Sequence, residues 1–600
     1  MGEADGDAAH RRQGRPAAGQ HDVRRHRRQG ERHLLTLLRL VGPWRRPAPD
    51  LAVLSGPAPF ATAGLRDWLE SGCHGLPPVR QGFVAALLRE DGSALVAVTS
   101  RWEISLLYAD SPGGLVVGTH PRDLIEALSA PPELDRRKLA DLLALHDDPV
   151  STVHAGIRRV PLGHVLHHVP GRPPAVERWF RPDTTEDRSI RVTDAPGLML
   201  AAVRDAVEAS LPEAGPVAAT LSGGLDSSTV VATAADLLRG SGRRVAAYTH
   251  VPLPGTPDPS PGWEADDGPY AAATARHVGG VDLTELRNDA RTTPLQATEV
   301  AIRATWQPVF NPINQGWFNE AFTRAETAGS PVLLTGAAGN FTFSRDRGGI
   351  LRELAVQHRW RAIAADLRAR HALGTPWRSA ARSVVREAAP DAALRRYWRW
   401  RGIDPEGTLP GYRDLPFREE LISDEARAGL QPMSRTFRPT RADYVGLTLL
   451  DSARIGFAQN LSDAVWWSDP LSDPAVVSLA LRLPEEAWLA GGLDRGLART
   501  ATAGLLPDEV RLRHTLGAQG ADAGEVTRDL AAHYRDLLDR IRASATASAV
   551  IDTERLERSL GAELADPGGA IHWQGVFGRA FAFGQYICWY EDEVLNRPTR

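Results

Sequence analysis

Cysteine is almost missing from this sequence: 600 residues contain only Cys73 and Cys588. That excludes a disulfide framework, a CxxC redox pair and a cysteine-based zinc site, and it fits a reducing compartment, so the cytoplasm is the expected location. Long apolar runs are missing too. No stretch approaches the roughly 18–20 residues of a membrane span, and there is no secretory apolar core, so neither a membrane nor an export route is expected. Charge of one sign is also missing. A net charge of −4 over this length gives no reason to expect a nucleic-acid partner.

What is present is a soluble composition, 42% hydrophobic and 24% charged, on a chain too long for one core. Residues 1–50 are dense in Arg, His, Gly and Gln and have no hydrophobic periodicity. A basic arm for an acidic partner and a disordered tail are both open readings; the tail is preferred, because nothing there could bury a core. Residues 51–186 read as an α+β domain. The runs LAVLSG, GFVAALLRE, SALVAVTS and GGLVVGTH have strand character, PRDLIEAL and ELDRRKLADLLALH have helical character, and GHVLHHVPG with AVERWFRPD forms a hairpin. Pro182–Thr193 is a polar linker.

From residue 190 to 600, strands alternate with helices and the chain ends in mostly helical segments, which argues for a parallel, doubly wound sheet with a helical C-terminal part. Expected strands are Val217–Leu221, Val245–Val251, Asp282–Leu286 and Pro331–Thr335. Expected helices include Pro196–Leu211, Thr229–Leu238, Asp266–Val278, Asn314–Thr327, Thr448–Asn460, Pro474–Leu483 and Leu493–Leu505. Around Tyr397, Trp398 and Trp400, an Arg-rich stretch could grip a peptide or nucleic acid; helix packing with solvated arginines is the preferred reading.

The chemistry centres on Val217–Gly240. An apolar strand leads into Ser222-Gly223-Gly224-Leu225-Asp226-Ser227-Ser228, and a helix follows that stops at Gly240. Glycines let backbone N–H groups approach an anion, the helix N-terminus adds partial positive charge, and Ser222, Ser227 and Ser228 add hydroxyl donors. Asp226 makes sense beside phosphate only through a divalent cation, so Mg2+ is expected with it. No Lys follows the glycines, so this is not a Walker A loop. Because ligands of such sheets sit beyond the strand C-termini, Leu221–Ser228, Thr249 and Gly336–Asn340 should share one crevice that binds ATP.

SGGLDSS resembles the pyrophosphate loop of the ATP-pyrophosphatase enzymes, in their asparagine synthetase-like branch. The resemblance implies a glutaminase-like (Ntn-type) α+β domain over 51–186. A PP-loop synthetase domain over 190–600 would then activate a carboxylate as an acyl-adenylate. That family's amidase uses an N-terminal Cys. None follows Met1 here, so the first domain should be inactive, with Cys73 structural. In VLLTGAAGNFTFS, Ala337 and Asn340 stand where asparagine synthetases place Glu and Asp. Asn340 is the expected second, weaker metal ligand. β-Lactam synthetases resemble the segment too, but place a Tyr at the position of Ala337.

In DPLSDPAVVSLALRLP, Asp473 matches the anchoring carboxylate of the family's substrate pocket. In RLRHTLGAQGAD, Thr515 stands where the family has a catalytic Lys, which leaves Arg513 or His514 to supply positive charge. GAAGN and the spacing of Gly517, Gln519 and Asp522 are similar to lasso-peptide cyclases. The expectation is therefore an ATP-dependent macrolactam synthetase, served by a precursor peptide, a precursor-recognition protein and a leader peptidase. An asparagine synthetase or β-lactam synthetase-like ligase, and a degenerate nucleotide-binding scaffold, are the alternatives.

Overall fold

The computed structural model describes residues 21–22, 37–55, 64–101, 103–287, 293–402, 415–429, 461–462, 464–565 and 571–596. The helix expected at Thr448–Asn460 lies outside these residues.

The N-terminal region is built on two sheets. One runs Ala175–Arg178, His164–His168, Ala94–Val98, Phe83–Leu88, Leu51–Ser55, Arg45–Ala48, all antiparallel. The other contains Leu37–Leu40, Gly114–Gly118, Leu106–Ser111 and Ile157–Val160, with a short pairing at His21–Asp22. Strands Phe83–Leu88 and Ala94–Val98 are apolar at almost every position because both faces of their sheet are covered. Val84, Ala86, Val96 and Val98 face the second sheet through Tyr108, Leu115 and Val117. Phe83, Ala85, Leu87, Leu95 and Ala97 face the helix Leu65–Glu70, with Trp68 and Cys73. The outer face of the second sheet carries the helices Pro121–Ala127 and Arg136–Leu143. The order of layers is helix, sheet, sheet, helix.

The folded body starts earlier than expected. Residues 37–50 were assigned to a tail, yet Leu37–Leu40 and Arg45–Ala48 are strands and Val41 and Trp44 are buried. The basic composition upstream masks a short apolar stretch, LLRLVGPW, that pairs with Gly114–Gly118.

After the linker, helix α1 (Ala195–Glu208) leads into a parallel sheet of β1 (Val217–Thr220), β2 (Val245–Val251), β3 (Val281–Arg287), β4 (Val332–Leu334) and β5 (Trp466–Ser468). The strand order is β3-β2-β1-β4-β5. Alternation along β1 explains the double winding. Val217 and Ala219 point to the face covered by α2 (Leu225–Leu237) and α3 (Gly268–Val278), while Ala218 points to α4 (Pro312–Thr327) with Phe322 and Trp467. The order reverses between β1 and β4, which makes the C-terminal ends of these two neighbours the switch point, the usual ligand position in such sheets.

Helices Ile350–Val356, Trp360–Ala372, Trp377–Ala388 and Asp391–Trp400 form an Arg-rich outer group. In the last of these Leu394 is buried and Trp398 is half-buried with its indole nitrogen inside, whereas Tyr397 is exposed and Trp400 is 78% exposed, so neither Tyr397 nor Trp400 seats that helix. The final helix, α5 (Ile571–Tyr590), returns to the N-terminal region. Tyr586 Oη meets His154 Nε2 at 2.9 Å, and Tyr590 Oη donates to the Pro132 carbonyl at 2.8 Å. Burial pushes the His154 pKa down to about 3, so its ring is neutral at physiological pH. Tyr586→Phe leaves that buried ring nitrogen unpaired. The expected loss is about 1–3 kcal/mol, read as a lower thermal midpoint whose difference from wild type is the same at pH 6 and pH 8, because the buried ring is neutral in the folded state of both proteins.

Candidate active site

Two turns meet at the switch point. The first follows β1. Its non-helical part is only Ser222–Gly224, because α2 begins at Leu225, earlier than the expected Thr229. Gly224 is extended (φ −89°, ψ 163°) and turns the chain straight into the helix without any side-chain cap. Asp226, Ser227 and Ser228 therefore occupy the first helical turn. The N–H groups of Leu225, Asp226 and Ser227 precede the first helical bond, which Ser228 N makes to the Gly224 carbonyl at 3.3 Å, and they carry the positive end of the macrodipole. Hydroxyls brace the turn. Ser227 Oγ accepts from Ser222 N at 3.0 Å and lies 2.9 Å from Ser222 Oγ, while Ser228 Oγ donates to the Ser222 carbonyl at 3.3 Å. Leu221 N donates to the Tyr248 carbonyl at 2.8 Å, which ties the start of the turn to β2. Ser222 and Gly224 remain exposed.

The second turn follows β4: Gly336 leads into a short 3-10 helix, Ala337–Phe341. A Cβ on Gly336 would lie 2.8 Å from both the Asp226 carbonyl carbon and Ser227 N, and one on Gly339 would fall inside the Asp226 carboxyl group. Only glycine permits this approach. Asn340 follows on the same turn and is exposed.

Asp226 is the electrostatic centre. Its Oδ2 accepts from Ser344 Oγ at 2.8 Å, and Arg495 Nη1 stands 3.9 Å from the same oxygen and 3.1 Å from Ser344 Oγ. Its Oδ1 is buried with no hydrogen-bond partner among the described residues. Burial raises the carboxyl pKa to about 6 against the pull of Arg495 and the Ser344 bond. Thr249 Oγ1 and Thr335 Oγ1, at the C-terminal ends of β2 and β4, are likewise buried and unpartnered. No cluster of three or more His, Cys, Asp or Glu suited to a metal occurs among the described residues. One carboxylate with a free buried oxygen is nevertheless the kind of protein ligand Mg2+ uses when phosphates and waters complete its shell. The residues thus fit such an ion.

The expected cations fall differently. Arg513 lies against the first turn, with Nη1 3.4 Å from the Gly223 carbonyl. Its charge is shared with Asp267 at 2.6 Å and Glu264 at 2.8 Å, and its guanidinium stacks 3.9 Å above the Tyr270 ring. Thr515 accepts from Arg513 Nε at 2.9 Å. His514 is exposed.

Arg495 was missed. It precedes a helix in the left-handed region (φ 54°), and no local sequence pattern marks a residue brought to Asp226 from across the fold. Asp473 also departs from expectation. It is buried, caps the following helix through Ala475 N at 2.9 Å, and pairs with Arg80 at 3.4 Å, so it faces the N-terminal region. Asp469 is the carboxylate that touches the second turn. Its Oδ2 accepts from Ala338 N at 2.7 Å and its Oδ1 from Leu471 N at 3.1 Å, and burial raises its pKa to about 7.

Gly517, Gln519 and Asp522 close the far side. Leu516–Gly517 pairs in parallel with Trp263–Glu264, and any side chain on Gly517 would invade the Asp267 carboxyl. Gln519 Oε1 accepts from Asn314 Nδ2 at 2.7 Å, and the buried Asp522 accepts from Leu253 N at 3.1 Å.

Two substitutions test this geometry. Gly339→Ala should weaken MgATP binding about tenfold or more, since relieving such a clash costs on the order of 1–3 kcal/mol; titration calorimetry on folded protein measures it. Asp226→Asn should abolish ATP turnover and yet stabilise the nucleotide-free protein. A carboxyl with a folded pKa near 6 and an unfolded value near 3.8 binds more protons when folded, so stability falls as pH rises through that window. The gain from Asn should reach up to about 3 kcal/mol at pH 7–8 and vanish below pH 4, as read by thermal melts across pH.

A family model described as asparagine synthase matches residues 199–579, more than half of the chain. No curated protein matches it.

Proposed function

The chain belongs to the asparagine synthase family, and from that premise we propose that it is an ATP-dependent lasso-peptide cyclase. Family membership supports ATP-dependent ligase chemistry of the amide-forming kind. The finer reading is carried by one observation. The second turn keeps both glycines that fit against Asp226, but holds Ala337 and Asn340 where asparagine synthetases are expected to have acids.

In the proposed reaction a side-chain carboxylate of an Asp or Glu in a core peptide attacks the α-phosphorus of ATP. Pyrophosphate leaves, and the peptide's N-terminal amine then attacks the acyl-adenylate carbonyl, closing an isopeptide ring and releasing AMP. The first-turn N–H groups of α2 and the hydroxyls of Ser222 and Ser227 would bind the departing pyrophosphate. Asp226 Oδ1, with the neutral Asn340 of the second turn as a weaker ligand, would hold Mg2+, which would neutralise charge on the phosphate oxygens. Arg495 takes the role proposed for a cation near the developing charge, while Arg513 orders the Gly223 turn through Glu264, Asp267 and Tyr270. Holding a threaded peptide until its ends react is a matter of orientation, which the protein supplies by binding.

The N-terminal region is proposed as an inactive amidotransferase-like domain. Cys73 is 2% exposed and burial raises its thiol pKa to about 12, so it is no nucleophile. A precursor-recognition protein and a leader peptidase would deliver the substrate in the cytoplasm. No helix among the described residues is long and apolar enough to cross a membrane.

Pyrophosphate exchange into ATP separates the readings. Exchange should require a peptide bearing the acceptor Asp or Glu. Exchange supported by free aspartate would favour an asparagine synthetase, and exchange with a small carboxylated amino acid would favour a β-lactam synthetase-like ligase. ATP binding without any exchange would mean a degenerate scaffold.

A further inference from the structure

A buried ionic cluster joins the N-terminal region to the second turn. Arg101 and Glu103 follow the strand Ala94–Val98 and are buried at the boundary with β5. They form an ion pair. Arg101 also donates to the Arg80 carbonyl at 2.6 Å, to Ser210 Oγ at 3.0 Å and to Ser468 Oγ at 3.2 Å, and lies 3.8 Å from Asp473. Glu103 Oε1 accepts from Ser468 Oγ at 2.7 Å and Asp469 N at 3.2 Å, and its Oε2 from Gly82 N at 2.7 Å and Trp466 Nε1 at 3.2 Å. Both carboxylate oxygens are thus saturated by fixed donors, and Gly82 has no room for a side chain beside them.

The contacts run onward without a gap. Glu103 bonds the backbone of Asp469, whose carboxylate holds Ala338 N at 2.7 Å. Thr335 N donates to the Ser468 carbonyl at 2.8 Å, and Thr342 Oγ1 to the Leu471 carbonyl at 2.9 Å, so the turn is pinned to the end of β5 at both sides. Gly336 and Gly339 of that turn then abut Asp226.

We infer that Glu103 is a positioning residue for the nucleotide site, acting through Asp469 and Ala338 on the turn that confines Asp226. This rests on the reading of that site as an ATP site. Energetics supports a geometric role. Desolvating two charges is expensive, and an apolar pair of similar volume is often as stable, so a buried ion pair is poorly explained by stability. What an apolar pair cannot do is accept the Asp469 N–H and the Ser468 hydroxyl at one fixed point. The N-terminal region thereby supplies a rigid wall behind the nucleotide turns.

The test compares variants in the full-length protein by binding of a fluorescent ATP analogue with Mg2+, scaled to folded protein by circular dichroism. Glu103→Gln should raise the Kd about tenfold or more. Asp147→Asn serves as control, because it breaks another buried ion pair of the N-terminal region, with Lys138, that does not touch the nucleotide turns. It should lower thermal stability and leave the Kd within twofold. Should Glu103→Gln not fold, Gly82→Ala displaces the Glu103 carboxylate without deleting it and should raise the Kd in the same direction. Variants of Glu103 or Gly82 that fold and bind like wild type overturn the inference. A wild-type protein that binds no analogue instead overturns the ATP reading beneath it.

Discussion

The closeness of two backbone turns governs this site. Gly336 and Gly339 approach Asp226 so nearly that a single methyl group on either would collide with it. The strand order β3-β2-β1-β4-β5 makes the meeting possible, since β1 and β4 are neighbours at the reversal. The meeting also buries Oδ1 of the half-buried Asp226, and that burial raises its pKa to about 6. Glycine, topology and electrostatics are here one fact: a carboxylate forced into a tight place keeps one oxygen unsatisfied and so favours a cation. Strain of this kind, built into a functional site at some expense of stability, is a common pattern.

Around that contact the charges are sorted. Arg495 stands beside Asp226, while Arg513 is neutralised by Glu264 and Asp267 on the other side of the first turn. Two cations near one site therefore have different work. The paired one fixes backbone at Gly223, and the half-free one, 25% exposed, keeps charge available. Behind the second turn stands a third layer, the Arg101–Glu103 pair, whose donors and acceptors come from both halves of the chain. The N-terminal region thus contributes buried polar contacts to the wall behind the second turn.

Local signals made much of this legible in advance. Strands β2 and β4, the helices α3 and α4, and the hairpin of the N-terminal region were readable because apolar periodicity and glycine or proline stops are properties of adjacent residues. The start of α2 was misjudged by four residues, since Leu-Asp-Ser-Ser reads equally well as turn or first helical turn, and only the extended Gly224 decides it. Residues 37–50 were misjudged because a strand's partner, here Gly114–Gly118, is remote in sequence.

By itself, the sequence determined that a strand, a glycine turn and a helix follow one another at Val217–Gly240, that thiol chemistry is scarce, and that the second turn carries the neutral residues Ala337 and Asn340. Tertiary structure alone decided which side chains act together. Arg495 reaches Asp226, Asp469 rather than Asp473 holds the second turn, Arg513 is paired, and Glu103 bonds the Asp469 N–H from the N-terminal region. The physical reason is range. Secondary structure depends on neighbours a few residues apart, whereas a buried charge is defined by whatever the fold brings within a few ångströms of it, from positions hundreds of residues away.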